Sequence, residues 1–124
     1  MALPEPGASP TIVEHILFVG GAGRPTPYHS TSESEDAATH FAGKTGRVYR
    51  TSARHAESKG VGHMGRIELI GLLQGKGKGK AKSESAFLVM QARRLVEQWG
   101  EHLLDFSDVD QTTVAGVARS LYEP

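Results

Sequence analysis

Apolar residues along the 124-residue chain fall into short runs separated by glycine, proline and charge, and the spacing within each run predicts an element. The first run, TIVEHILFV, is dense in β-branched and aromatic residues and ends at GGAGRPTP, which predicts a buried strand over 12–19 closed by a turn. A second extended piece around Pro27, Tyr28 and His29 leads into Ser32. Ser32 is a suitable helix N-cap with Glu35 three residues on, as in a capping box, so 33–42 should be helical until Gly43 and Gly46 stop it. GRVYRTS then returns to alternation, with Val48 and Arg50 on one side and Arg47 and Tyr49 on the other, and predicts a short second strand.

Farther along, 53–58 reads as a brief helix, VGHMG as a turn, and RIELIGLL as a helix with Ile67, Ile70 and Leu73 on one face. Ser83 can cap a helix running through Trp99, in which Leu88, Ala92, Leu95, Val96 and Trp99 form an apolar stripe. HLLDF predicts a third strand, and 108–124 a closing helix with Val114, Val117 and Leu121 inward. Strands and helices in mixed order predict an α+β class, a small split β-sheet with flanking helices. The first eleven residues, MALPEPGASPT, have a linker-like composition, which leaves 12–124 as a single domain.

Composition narrows the chemistry. Charge balances to a formal +0, so no global field draws the chain to nucleic acid or membrane, and steering falls to local clusters. With no cysteine, disulfide frameworks, thiolate nucleophiles and Cys-ligated zinc are excluded. IVEHILFVG is too short to span a bilayer and has no basic flank of a signal peptide, so the polypeptide itself reads as cytosolic.

GGAGR and GKGKGK lack the glycine and GK[ST] spacings of phosphate loops. Lysines 76, 78, 80 and 82 alternate with glycine or alanine, a flexible cluster suited to RNA, a nucleotide, an acidic protein surface, or simply to solvent. The six histidines have no metal-ligand spacing, and no metal site is expected. They do leave open a general acid–base pair assembled in space, as metal-independent ribonucleases use.

One constellation goes further. A strand end presenting Tyr28-His29-Ser30-Thr31, a helix carrying Ala38 to Ala42 (ATHFA), and a strand GRVYRTS together resemble the ADP-ribosyltransferase superfamily over about residues 28–60. The motifs are moderately specific and admit two phasings. In the branch marked by Arg, Ser-Thr-Ser and Glu, the matching parts are Ser30 to Ser32, the AxxFA helix and Val48-Tyr49, and the resemblance implies that Ser30 and Thr31 brace the nicotinamide pocket. The arginine of that branch lies well upstream, whereas Arg24 sits only six residues before Ser30; Arg47 or Arg50 is the spatial substitute. In the branch marked by His, Tyr and Glu, the match is Tyr28 to Thr31, Gly46 to Ser52 and the helix 53–58. There the resemblance implies that His29 holds a ribose hydroxyl of NAD and that Tyr49 stacks on the nicotinamide, contacts suited to an imidazole donor and an aromatic face.

The family's glutamate lacks an ExE or QxE motif here; Glu101, leading HLLDF, is preferred to Glu84 because a strand holds a carboxylate more rigidly. The resemblance thus implies an ADP-ribosyltransferase-like fold of the compact toxin type, with NAD as substrate. Tyr49 and Glu101 are its catalytic residues, and His29, Ser30 and Thr31 bind NAD. It further implies a macromolecular target, either a translation factor or RNA, a cognate immunity protein, and action in the cytoplasm of a target cell after secretion. The alternatives are a metal-independent ribonuclease toxin with a histidine base and lysines on phosphate, and a non-enzymatic binding module.

Overall fold

The computed structural model describes residues 3–17, 25–42, 49–73 and 86–122. Its elements, in chain order, are α1 (Ile12–Ile16), β1 (Tyr28–Ser32), α2 (Glu35–Ala42), α3 (Ala53–Ser58), β2 (Gly62–Met64), α4 (Arg66–Leu72), α5 (Ala86–Trp99), β3 (Glu101–Asp105) and α6 (Val114–Leu121). The chain is a small α+β protein in which the described strands form one antiparallel sheet of order β1-β3-β2, flanked by helices.

β3 is the centre of that sheet. Its partners are fixed in register, Tyr28 opposite Asp105 and Ser32 opposite Glu101 on one side, Gly62 opposite Asp105 and Met64 opposite Leu103 on the other. Because side chains alternate across a sheet, the two central leucines point to opposite faces. Leu103 joins Tyr28, Met64 and the buried residues of α1, α4 and α5; Leu104 joins Ala56, Val61, Phe106, Val109 and the buried residues of α6. Each face therefore has its own core, which is why HLLDF shows two adjacent apolar residues and no simple alternation.

The first run is a helix, where its composition predicted the strand 12–19. Thr11 and Glu14 form a complete capping box, the Thr11 Oγ1 accepting from Glu14 N at 3.2 Å and Glu14 Oε1 from Thr11 N at 2.9 Å. β-Branched residues disfavour a helix by only a few tenths of a kcal/mol each. The cap, at roughly 1 kcal/mol, and burial of Ile12, Val13 and Ile16 on one face outweigh that. The remainder of the predicted strand, residues 18 and 19, lies outside the described residues. Upstream, Pro4 is buried and Glu5 N donates to Thr26 O at 2.9 Å.

Four further expectations change. Ser32 is the last residue of β1 and does not cap the helix; Ser34 takes that place, its Oγ accepting from Ala37 N at 3.2 Å, so α2 starts at Glu35. VGHMG holds a strand, β2, since pairing with β3 satisfies its backbone groups. In α4 the buried face is Leu69, with Leu73 just beyond the helix, while Ile67 is 72% exposed. Of the strand expected in GRVYRTS, Gly46 to Val48 lie outside the described residues; Tyr49 and Arg50 are exposed and belong to none of the three strands, Arg50 making an isolated β-bridge.

Elsewhere the pattern holds. α3 spans the expected residues with Ser52 as its N-cap, β3 lies where HLLDF placed it, and the closing helix is shorter than the expected 108–124, α6 beginning at Val114 and burying Val114 and Leu121 with Val117 half-buried. In α5 the buried line is Val89, Ala92 and Val96, with Leu95 half-buried and Leu88 40% exposed. Ser83, the expected cap, and the four lysines of the basic cluster lie outside the described residues.

Candidate functional site

Pairing of β1 with β3 brings together two of the residues singled out from sequence. Ser30 Oγ donates to Glu101 Oε2 at 3.0 Å, although the two are 71 positions apart. They share the sheet face that carries Tyr28 and Leu103. Beneath them α1 delivers a residue that no sequence motif marked. His15, buried, places Nε2 2.8 Å from Ser30 Oγ, and its Nδ1 is 2.9 Å from Thr26 Oγ1. With the Ser30 hydrogen directed to Glu101, the serine oxygen accepts from His15 Nε2–H. The result is a line of four polar groups, Thr26, His15, Ser30 and Glu101, running from the interior to the rim of the sheet.

Burial dominates the electrostatics of this line. It pushes the Glu101 carboxyl up to about 7, against a smaller lowering by the Ser30 hydrogen bond. A carboxyl so placed is near half-ionised around neutral pH, and a cation brought beside it would drive it to the charged form. Such a group can stabilise a developing positive centre or exchange a proton.

The remaining candidates are elsewhere. His29 and Thr31 point to the opposite sheet face, a consequence of strand alternation within β1. The His29 ring packs edge-on against Phe106, with ring centres 5.2 Å apart, and its Nδ1 lies 3.0 Å from Tyr122 Oη. Burial holds that tyrosine protonated, its pKa pushed up to about 12. Thr31 Oγ1 donates to the backbone carbonyl of His102 at 3.1 Å. Tyr49 is 45% exposed and belongs to no strand, and Arg50 makes an isolated β-bridge, while Arg24, Arg47 and Glu84 fall outside the described residues.

Among the described residues no group of three or more His, Cys, Asp or Glu side chains could hold a metal ion, and no helix is long and apolar enough to cross a membrane. Compared with known proteins, the chain matches no family model, no curated protein and no solved structure at a significant level.

Proposed function

We propose that this chain is a compact toxin-type domain that cleaves the glycosidic bond of NAD and transfers ADP-ribose to a bacterial macromolecule. The observation that supports it is the 3.0 Å contact between Ser30 and Glu101, the serine of the Ser-Thr-Ser stretch and the glutamate that leads HLLDF. In this reaction the C–N bond to nicotinamide breaks, nicotinamide leaves with the bonding pair, and a nucleophile of the target attacks the ribosyl carbon. Positive charge that develops on the ribose in between is stabilised by an ionised carboxylate. Glu101 supplies it, ionised in part by the cationic pyridinium that enters with NAD. Ser30, held from behind by His15, fixes the carboxylate's orientation.

The geometry favours the Ser-Thr-Ser phasing over the one built on His29 and Tyr49. Ser30 and Glu101 share a face and a hydrogen bond, whereas the His29 ring is engaged by Tyr122 and Phe106 on the other face. As a toxin-type domain the chain acts in the cytoplasm of a target cell, and a cognate immunity protein covers it in the cell that makes it.

The test is incubation of the purified chain with NAD labelled in the adenylate portion and a bacterial lysate. Label should appear on a macromolecule, and Glu101→Gln should lower the rate at least 10²-fold, the scale expected when one preorganised electrostatic group is removed. Absence of both labelling and NAD consumption would sink the proposal. Loss in Tyr49→Ala with full activity in Glu101→Gln would instead select the other phasing.

A further inference from the structure

On the sheet face opposite Glu101, four side chains from three segments form a second continuous chain of hydrogen bonds. Arg66 Nε donates to Glu33 Oε1 at 2.9 Å; Glu33 Oε2 lies 2.7 Å from His102 Nε2; His102 Nδ1 lies 2.9 Å from His63 Nε2. The topology explains how residues scattered over 70 positions meet. His102 is on central β3, His63 is on β2 one register step away on the same face, and Glu33 follows β1 directly, its N–H bonded to Gly100 O at 3.0 Å. Gly65 lies against both rings: a Cβ there would sit 3.6 Å from Cε1 of His63 and of His102, and Arg66 is the next residue.

The proton positions follow from the donors and acceptors. Hydrogen bonds from His102 and then from Arg66 hold the Glu33 carboxyl below its ordinary pKa, so it is an acceptor only. His102 must therefore carry its hydrogen on Nε2; in the neutral ring that leaves Nδ1 as a lone pair, which accepts from His63 Nε2–H. His63 Nδ1 is then the lone pair at the end of the chain. It is not a buried atom: the buried side-chain polar atom without a partner among the described residues is Thr51 Oγ1. The same holds for the outer nitrogens of Arg66, whose side chain is 37% exposed. Two imidazoles whose facing nitrogens share a hydrogen cannot together ligate a metal without turning over, so the arrangement suits proton transfer.

We propose that the His63–His102–Glu33 chain with Arg66 is a general-base site for metal-independent cleavage of RNA. A base that works without metal suits a substrate that carries its own nucleophile, and a ribose 2′-hydroxyl beside a phosphodiester is such a substrate. His63 Nδ1 takes the 2′-hydroxyl proton, the 2′-oxygen attacks the adjacent phosphorus, and the bond from phosphorus to the 5′-oxygen breaks. The leaving 5′-oxygen takes a proton from water, and His63 returns its proton to solvent. The products are a 2′,3′-cyclic phosphate and a 5′-hydroxyl. Arg66 faces the charge on the phosphoryl oxygens, while His102 and Glu33 are positioning residues that hold His63 in the basic tautomer. The site is on the opposite sheet face from Ser30 and Glu101 and does not rest on the ADP-ribosyl reading.

The experiment uses the whole chain with a 5′-labelled single-stranded RNA and a DNA of the same sequence, in EDTA and without NAD. RNA should be cut to fragments ending in cyclic phosphate and DNA left intact. His63→Ala should slow cutting at least 10²-fold while keeping a cooperative unfolding transition, and Arg93→Ala, a surface change outside both sites, should cut at the wild-type rate. Glu33→Gln should lower the rate and move the acid limb of the pH–rate profile to lower pH, because the base loses its stabilising negative charge; a merely structural role would leave that limb in place. Intact RNA, equal cutting of DNA, or a folded His63→Ala that cuts like wild type would overturn the proposal. No cutting with NAD transfer intact removes this site alone, and cutting without transfer removes only the other reading.

Discussion

At the scale of single residues, Glu101 couples the candidate site to stability. Its folded pKa, about 7, is above the ordinary 4.5, so burial favours the neutral form. The stability it leaves intact is fully present below pH 4.5 and is lost as pH rises through 7. At 1.36 kcal/mol per pKa unit the loss is at most about 3 kcal/mol. The quantity to measure is a difference between variants, in which the contributions of all other groups cancel. Urea denaturation of wild type and Glu101→Gln at pH 5 and pH 8 should show the variant gaining relative stability at the higher pH. An unchanged difference between the two pH values would show that Glu101 ionises without cost. Ser30 and Glu101 were both legible as candidates because each begins or continues a run whose type was clear. His15 was not, since a residue's neighbours depend on the element it occupies, and TIVEHILFV carries more strand-forming composition than its Thr11–Glu14 box suggests.

At the scale of elements, the junction between α5 and β3 depends on one glycine. Gly100 has φ +60°, in the left-handed region, and a Cβ there would lie 2.8 Å from Cγ of Glu33. Gly100→Ala should therefore destabilise the protein by about 1–2 kcal/mol through backbone conformation alone, read by chemical denaturation. It should also disturb the Glu33–His102 hydrogen bond, visible as a changed imidazole resonance. Wild-type stability would mean that the junction relaxes at no cost. The same scale shows what periodicity could and could not reveal. α3, β3, α5 and α6 were readable from local composition and apolar spacing, whereas β2 is three residues long, begins at a glycine and exists only through its pairing with β3. His63 and His102 were hidden with it: their meeting depends on the register of two strands, one of which read as a turn.

For the whole molecule, two small cores share one sheet. Leu103 and Leu104 are adjacent in sequence, yet they anchor opposite faces and are each essentially inaccessible. Truncation of either to alanine should cost about 2–5 kcal/mol, and Ile67→Ala, at an exposed position that helical spacing had turned inward, within about 0.5 kcal/mol. Equal small losses at all three would mean that the faces are less well packed than their burial indicates. The α+β class followed from the mixed order of elements, but the layering did not, because two cores on one strand erase the alternation that normally betrays a face.

The placement of β3 at the centre of the sheet also governs when the molecule can exist at all. Both sheet pairings pass through residues 101–105, so β1 and β2 have no partner among the described strands until that segment is present. On a ribosome most of the chain is made before its central strand arrives, and closure of the sheet spans more than 70 residues. Either candidate site, each of which draws a residue from 101–102, comes into being only at that late step.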